Sequence, residues 1–97
     1  MCKVYSEQDP ALYASTSRSL RLKGHVTSIR LENVFWDVLG RIAAEEGKST
    51  SDFIATLNDE MAARGDTQQN FTSALRSACV IYLAQGDLAH RSLFAAE

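Results

Sequence analysis

The sequence is poor in the residues that punctuate or cross-link a chain. One proline, Pro10, and five glycines among 97 residues exclude a proline-rich or collagen-like chain. Two cysteines, Cys2 and Cys79, lie far apart. Free thiols in the cytoplasm fit them better than a disulfide framework. The two histidines, His25 and His90, have no partners at ligand spacing, so no metal site is expected. No apolar run approaches the ~20 residues of a bilayer span. No basic segment leads into an apolar stretch at the start, so no secretory signal is expected. Nucleophile–base pairs, phosphate loops and metal signatures are missing, and the chain is expected to be neither an enzyme nor cofactor-dependent.

What is present describes one small ordered domain. The chain is 45% hydrophobic and 23% charged, which argues against disorder. The formal charge is −2, but it is unevenly placed. Residues 1–31 carry five bases against two acids, and residues 32–97 carry five bases against ten. A basic front and an acidic back suggest an anion-facing surface at one end.

Asp9-Pro10 reads as a turn or a helix start, with Pro10 at the first helical position and Ala11 to Ala14 able to complete one turn. Ser15-Thr16-Ser17 is linker-like. From Arg18 the period becomes two. Arg18 to Leu22 alternates, Lys23-Gly24 breaks the run as a two-residue hairpin loop, and His25 to Leu31 alternates again. Pairing across that loop sets Leu22 opposite His25, Leu20 opposite Thr27 and Ser19 opposite Ser28. Thr27, Ile29 and Leu31 then point one way, and Val26, Ser28 and Arg30 the other. A helix is expected at about 33–46, capped by Asn33 and stopped by Gly47 in a left-handed conformation. A second opens at Ser49, with Phe53, Ile54, Leu57 and Met61 in one stripe, and ends at Arg64-Gly65. A third, about 70–85, opens at Asn70 or Thr72 and is apolar nearly all round toward its end, the pattern of a helix buried on more than one side. Leu88 to Glu97 is expected to be a frayed short helix.

The resulting division is an arm, 1–24, with a candidate extra strand at 18–22; a core, 25–64; and a connector, third helix and tail, 65–97. A strand or lone hairpin is marginal in water and needs a roof and an edge partner. Pairing of residues 26–31 with the same residues of a second chain would supply both.

The order Thr27-Ser28-Ile29-Arg30-Leu31-Glu32-Asn33, then Phe35 to Glu46, Gly47, and Lys48-Ser49-Thr50-Ser51-Asp52 resembles the Arc/MetJ ribbon-helix-helix family over residues 25–64. The resemblance implies a mainly α homodimer with a short intermolecular antiparallel β-ribbon, here with an extra third helix. It implies that Val26, Ser28 and Arg30 read base edges of double-stranded DNA in the major groove, with Arg18, Arg21 and Lys23 as additional contacts. Lys48, Ser49, Thr50 and Ser51, at the start of the second helix, would grip phosphate. The dimer core would comprise Thr27, Ile29, Leu31, Phe35, Trp36, Val38, Leu39, Ile42, Phe53, Ile54 and Leu57. The implied function is transcriptional regulation, as a repressor. The alternative is a dimeric interaction module whose third helix binds a protein partner, as an antitoxin binds its toxin.

Overall fold

The structure, a computed structural model, describes residues 3–65 and 70–87. The expectations for the connector at 66–69 and the tail at 88–97 lie outside those residues. One short helix, α1 (Lys3–Ser6), and a 3-10 turn at Pro10–Leu12 precede the sheet. Asp9 opens that turn by accepting a hydrogen bond from the Ala11 N–H at 3.0 Å. Strands β1 (Ser15–Leu22) and β2 (His25–Glu32) follow, then helices α2 (Asn33–Glu45), α3 (Thr50–Ala63) and α4 (Phe71–Asp87).

The hairpin follows from its loop. Lys23 and Gly24 both have positive φ, 51° and 81°, as a primed two-residue turn requires. The Arg21 guanidinium donates to the Gly24 carbonyl at 3.2 Å and braces the turn. The register pairs Leu22 with His25, Leu20 with Thr27 and Ser19 with Ser28, and continues to Ser15 opposite Glu32. The candidate strand at 18–22 therefore starts three residues earlier. Ser15-Thr16-Ser17 resembles a linker because none of its side chains marks a buried face. Backbone pairing with residues 30–32 makes it a strand nonetheless.

Side chains alternate across the sheet. Leu20, Leu22, Ile29 and Leu31 are buried beneath the helices. On α2, Trp36, Val38, Leu39, Ile42 and Ala43 are buried, the stripe of a helix that lies on a sheet. Gly47 (φ 70°) ends α2 in a Schellman turn, with Lys48 N–H bonded to the Ala43 carbonyl at 2.9 Å and Gly47 N–H to that of Ala44 at 3.1 Å. The chain reverses into α3, which packs against both α2 and β1 and buries Phe53 and Ile54. α4 packs against α2 and the end of β2 and buries Leu75 and Cys79. Burial pushes the Cys79 thiol up to about 11. The Tyr82 phenol donates to the Glu45 carboxylate at 2.5 Å and ties α4 to the end of α2.

Two expectations change in detail. Asn33 is the first residue of α2, not its cap. Its side chain instead accepts from the Thr16 hydroxyl at 2.6 Å and donates to the Ala11 carbonyl at 2.9 Å, clamping the segment before β1 onto the helix. The third helix caps at Asn70, which accepts from Ser73 N–H at 3.3 Å. Its apolar outer side is not covered within the chain: Val80, Ile81 and Leu83 are 57%, 46% and 48% exposed. Residues 26–31 pair with β1 of the same chain, as the expected hairpin does. Leu31, Leu39 and Ile54 are 0% exposed. Among the described residues the sheet has two strands, which leaves the other edge of β2 without a strand.

Gly40 lies in the middle of α2, and a methyl group added there would stand 3.6 Å from the Thr50 hydroxyl, an ordinary contact. Gly40→Ala should therefore raise the unfolding free energy by about 0.5–1 kcal/mol, the backbone entropy that glycine costs inside a helix. Denaturant unfolding measures it; a lower midpoint would show that α2 and α3 cannot accept the methyl.

Candidate nucleic-acid interface

The outer face of the hairpin is open to solvent and mostly polar. β1 contributes Ser15, Ser17, Ser19 and Arg21, and β2 contributes Val26, Ser28, Arg30 and Glu32, paired across the ribbon as Ser15–Glu32, Ser17–Arg30, Ser19–Ser28 and Arg21–Val26. Every one is exposed except Glu32, which is half-buried. Hydroxyls that donate and accept alternate with two guanidinium forks. Val26, 66% exposed, supplies a single apolar contact.

The face holds one carboxylate, and it is already occupied. Arg76 of α4 donates from Nε to Glu32 Oε1 at 3.1 Å and from Nη2 to Oε2 at 3.4 Å. Its guanidinium carbon also lies 5.8 Å from the Phe35 ring centre. The backbone amide of Glu32 itself, then Arg76, hold this carboxyl below its usual value. Such charge-assisted contacts favour the ionised form.

Of the residues expected to touch DNA, the structure gathers Val26, Ser28, Arg30 and Arg21 on one face. Arg18 lies apart from these four. It pairs with Ile29 on the roofed side, and its guanidinium carbon stacks 4.5 Å from the Trp36 ring centre. The alternation that puts Arg21 outside puts Arg18 on the opposite face. Lys23 sits in the turn, its ammonium 3.9 Å from Asp59 of α3. Trp36 is core, with its indole N–H donating to the Thr16 carbonyl at 2.9 Å.

At the start of α3, Ser49 accepts from Asp52 N–H at 3.1 Å as a helix cap, and Lys48 donates to the Thr56 hydroxyl at 3.1 Å. Both side chains thus serve α3 itself. The first intrahelical bond is Phe53 N–H to the Ser49 carbonyl at 2.9 Å, which leaves the amides of Thr50 and Ser51 ahead of the ladder, where an anion is favoured. Ser17 and Ser19 are additions to the residues expected at this face. Period-two spacing back to Ser15 is the signal that reveals them, and it is hidden where both faces are small and polar. Among the described residues no helix is long and apolar enough to cross a membrane.

A hairpin followed by a helix, a glycine turn and a helix defines a known architecture, and the ribbon-helix-helix domain family matches residues 15–83. The chain belongs to the ribbon-helix-helix family. The match opens at the first residue of β1 and closes within α4. It therefore extends beyond 25–64, the segment whose pattern carries the resemblance, and takes in the hairpin's first strand and most of the third helix. Among solved structures, an uncharacterized protein from Bordetella pertussis Tohama I is 38% identical to this ribbon-helix-helix chain, with a TM-score of 0.82, over 95% of this chain and 76% of that chain. No curated protein matches the chain.

The lowered Glu32 value has a consequence for stability. Its contribution is complete above the ordinary value of 4.5 and is lost as pH falls through the lower folded value. Glu32→Gln should therefore be less stable than the natural chain at neutral pH, and the gap should close on acidification below that value. Unfolding midpoints across a pH series test this; parallel curves would remove Glu32 from the account.

Proposed function

We propose that the chain is a DNA-binding transcriptional regulator, a repressor, that acts as a homodimer and presents the outer face of its sheet to the major groove. The observation that carries this reading is the chemistry of that face: two guanidinium forks and four hydroxyls beside Val26, with the one carboxylate bound by Arg76. Membership of a family whose domains typically bind DNA as dimers supports it, as does the concentration of positive charge before residue 32. On this reading the protein works in the cytoplasm, beside its duplex.

Dimerisation along the free edge of β2 would build a four-stranded sheet with the two β2 strands in the centre and β1 outside. Strands are spaced by about 4.8 Å, so the outer strand axes would stand ~14 Å apart. That exceeds the ~12 Å width of the major groove, which admits a two-stranded ribbon. The sheet's twist of roughly 20–25° per strand turns the outer strands off the groove floor. The reading therefore divides the labour. Val26, Ser28 and Arg30 of the central pair meet base edges, while Arg21, Ser17 and Ser19 face the flanking phosphates. Thr50 and Ser51 amides at the start of α3 are a further phosphate contact, with Lys48 and Ser49 supporting that helix end.

Selection of bound sequences from random duplex DNA at two salt concentrations tests the proposal. Arg30→Ala should cost about 1–3 kcal/mol at one guanine and relax specificity there. Arg21→Ala should weaken all duplexes alike and reduce the log–log salt slope by about 0.9 for each phosphate the side chain had neutralised. Light scattering should give the mass of two chains. Binding without sequence preference, or an Arg30→Ala variant with unaltered selectivity, would defeat base reading by this face.

A second reading rests on α4. Val80, Ile81 and Leu83 expose an apolar outer side, which suits a dimeric interaction module that holds a protein partner in the manner of an antitoxin. Co-purification of a small partner that Val80→Asp releases would favour it. Sequence-selective DNA binding by a partner-free dimer would decide against it.

A further inference from the structure

Two guanidinium groups compete for the Glu32 carboxylate. Arg76 reaches it from α4 and occupies both oxygens, at 3.1 and 3.4 Å. Arg30 stands two residues before it on the same face of β2 and is close enough to interact with it electrostatically. Yet Arg30 makes no hydrogen bond or ion pair among the described residues. Its fork is therefore unspent and points from the outer face. Geometry favours Arg76 in this competition. A planar guanidinium that meets both carboxylate oxygens is held more tightly than one reaching along a strand, and the Phe35 ring 5.8 Å away adds a second contact.

We infer that Arg76 is a positioning residue for base recognition: by holding Glu32 it keeps the Arg30 guanidinium free for a guanine. This rests on the DNA-reading function proposed above and extends it to α4. Without Arg76, Glu32 remains ionised at neutral pH with its oxygens unmatched. Arg30, its nearest cation on the face, then turns along the strand to pair with it. The fork is withdrawn from DNA although Arg30 itself is intact. The bare carboxylate also faces the approaching phosphates, but that repulsion falls on every duplex alike and leaves selectivity unchanged.

The readout is discrimination, the ratio of affinities for a selected operator and for the same duplex with the Arg30-contacted guanine replaced. Arg76→Met keeps the apolar stem over Phe35 and should lower this ratio about tenfold, within the range that one bidentate arginine–guanine pair supplies. Glu32→Gln combined with Arg76→Met should restore it, because no carboxylate is left to capture Arg30. A purely structural salt bridge predicts the opposite, a double variant no better than the single one. Should Arg76→Met fail to fold, Arg76→Gln serves in its place. Unchanged discrimination in the single variant, or no recovery in the double, overturns the inference while leaving DNA reading intact. Failure of Arg30→Ala to alter discrimination in the natural background, or failure of that chain to bind DNA, overturns the function and the inference together.

Discussion

The turn at Lys23-Gly24 is the constraint on which the rest depends. Two residues with positive φ close the hairpin in one register, and in a strand a shift of one residue would exchange its faces. This register buries Leu20, Leu22, Ile29 and Leu31 together and so aligns Arg21, Ser28 and Arg30 on the opposite side. The hydrophobic interior and the polar exterior are one decision. Lys23 accepts a backbone conformation that a side chain disfavours, and the leucines buried on both strands hold it there.

α2 turns that register into a three-dimensional arrangement. Its first turn is fastened to β1 twice, by Asn33 to Thr16 and by Trp36 to the Thr16 carbonyl, and Asn33 also holds the Ala11 carbonyl of the preceding turn. Its middle admits Thr50 beside Gly40, and its far end is tied to Tyr82. α3 and α4 therefore pack on either side of a helix whose position relative to the sheet is already set. α4 reaches Glu32 through Arg76, and that side chain settles the charge at the end of the ribbon.

Much of this was legible in the residues. Period-two alternation and Gly24 specify the hairpin and its pairing. The apolar stripe from Phe35 to Ile42 specifies α2, and Gly47 and Ser49 mark the boundaries on either side of the turn. The misses have physical causes. Ser15 to Ser17 form a strand through backbone bonds alone, and a row of small polar residues carries no burial pattern. Asn33 has the chemistry of a cap but is drawn to Thr16, 17 positions earlier, and such distant partners leave no trace in local spacing. Arg18 and Arg21 look alike as bases near a ribbon, and only the register separates them. The Arg76–Glu32 pairing spans 44 positions and was beyond any motif.

The roof of the sheet closes inside a single chain, with Leu31, Leu39 and Ile54 sealed by α2, α3 and α4. Proteins whose core exists only between subunits lose their fold on dilution, since stability and association are one equilibrium. A core completed in cis separates the two. Among the described residues, the edge of β2 that has no strand beside it belongs to a chain whose interior is already closed.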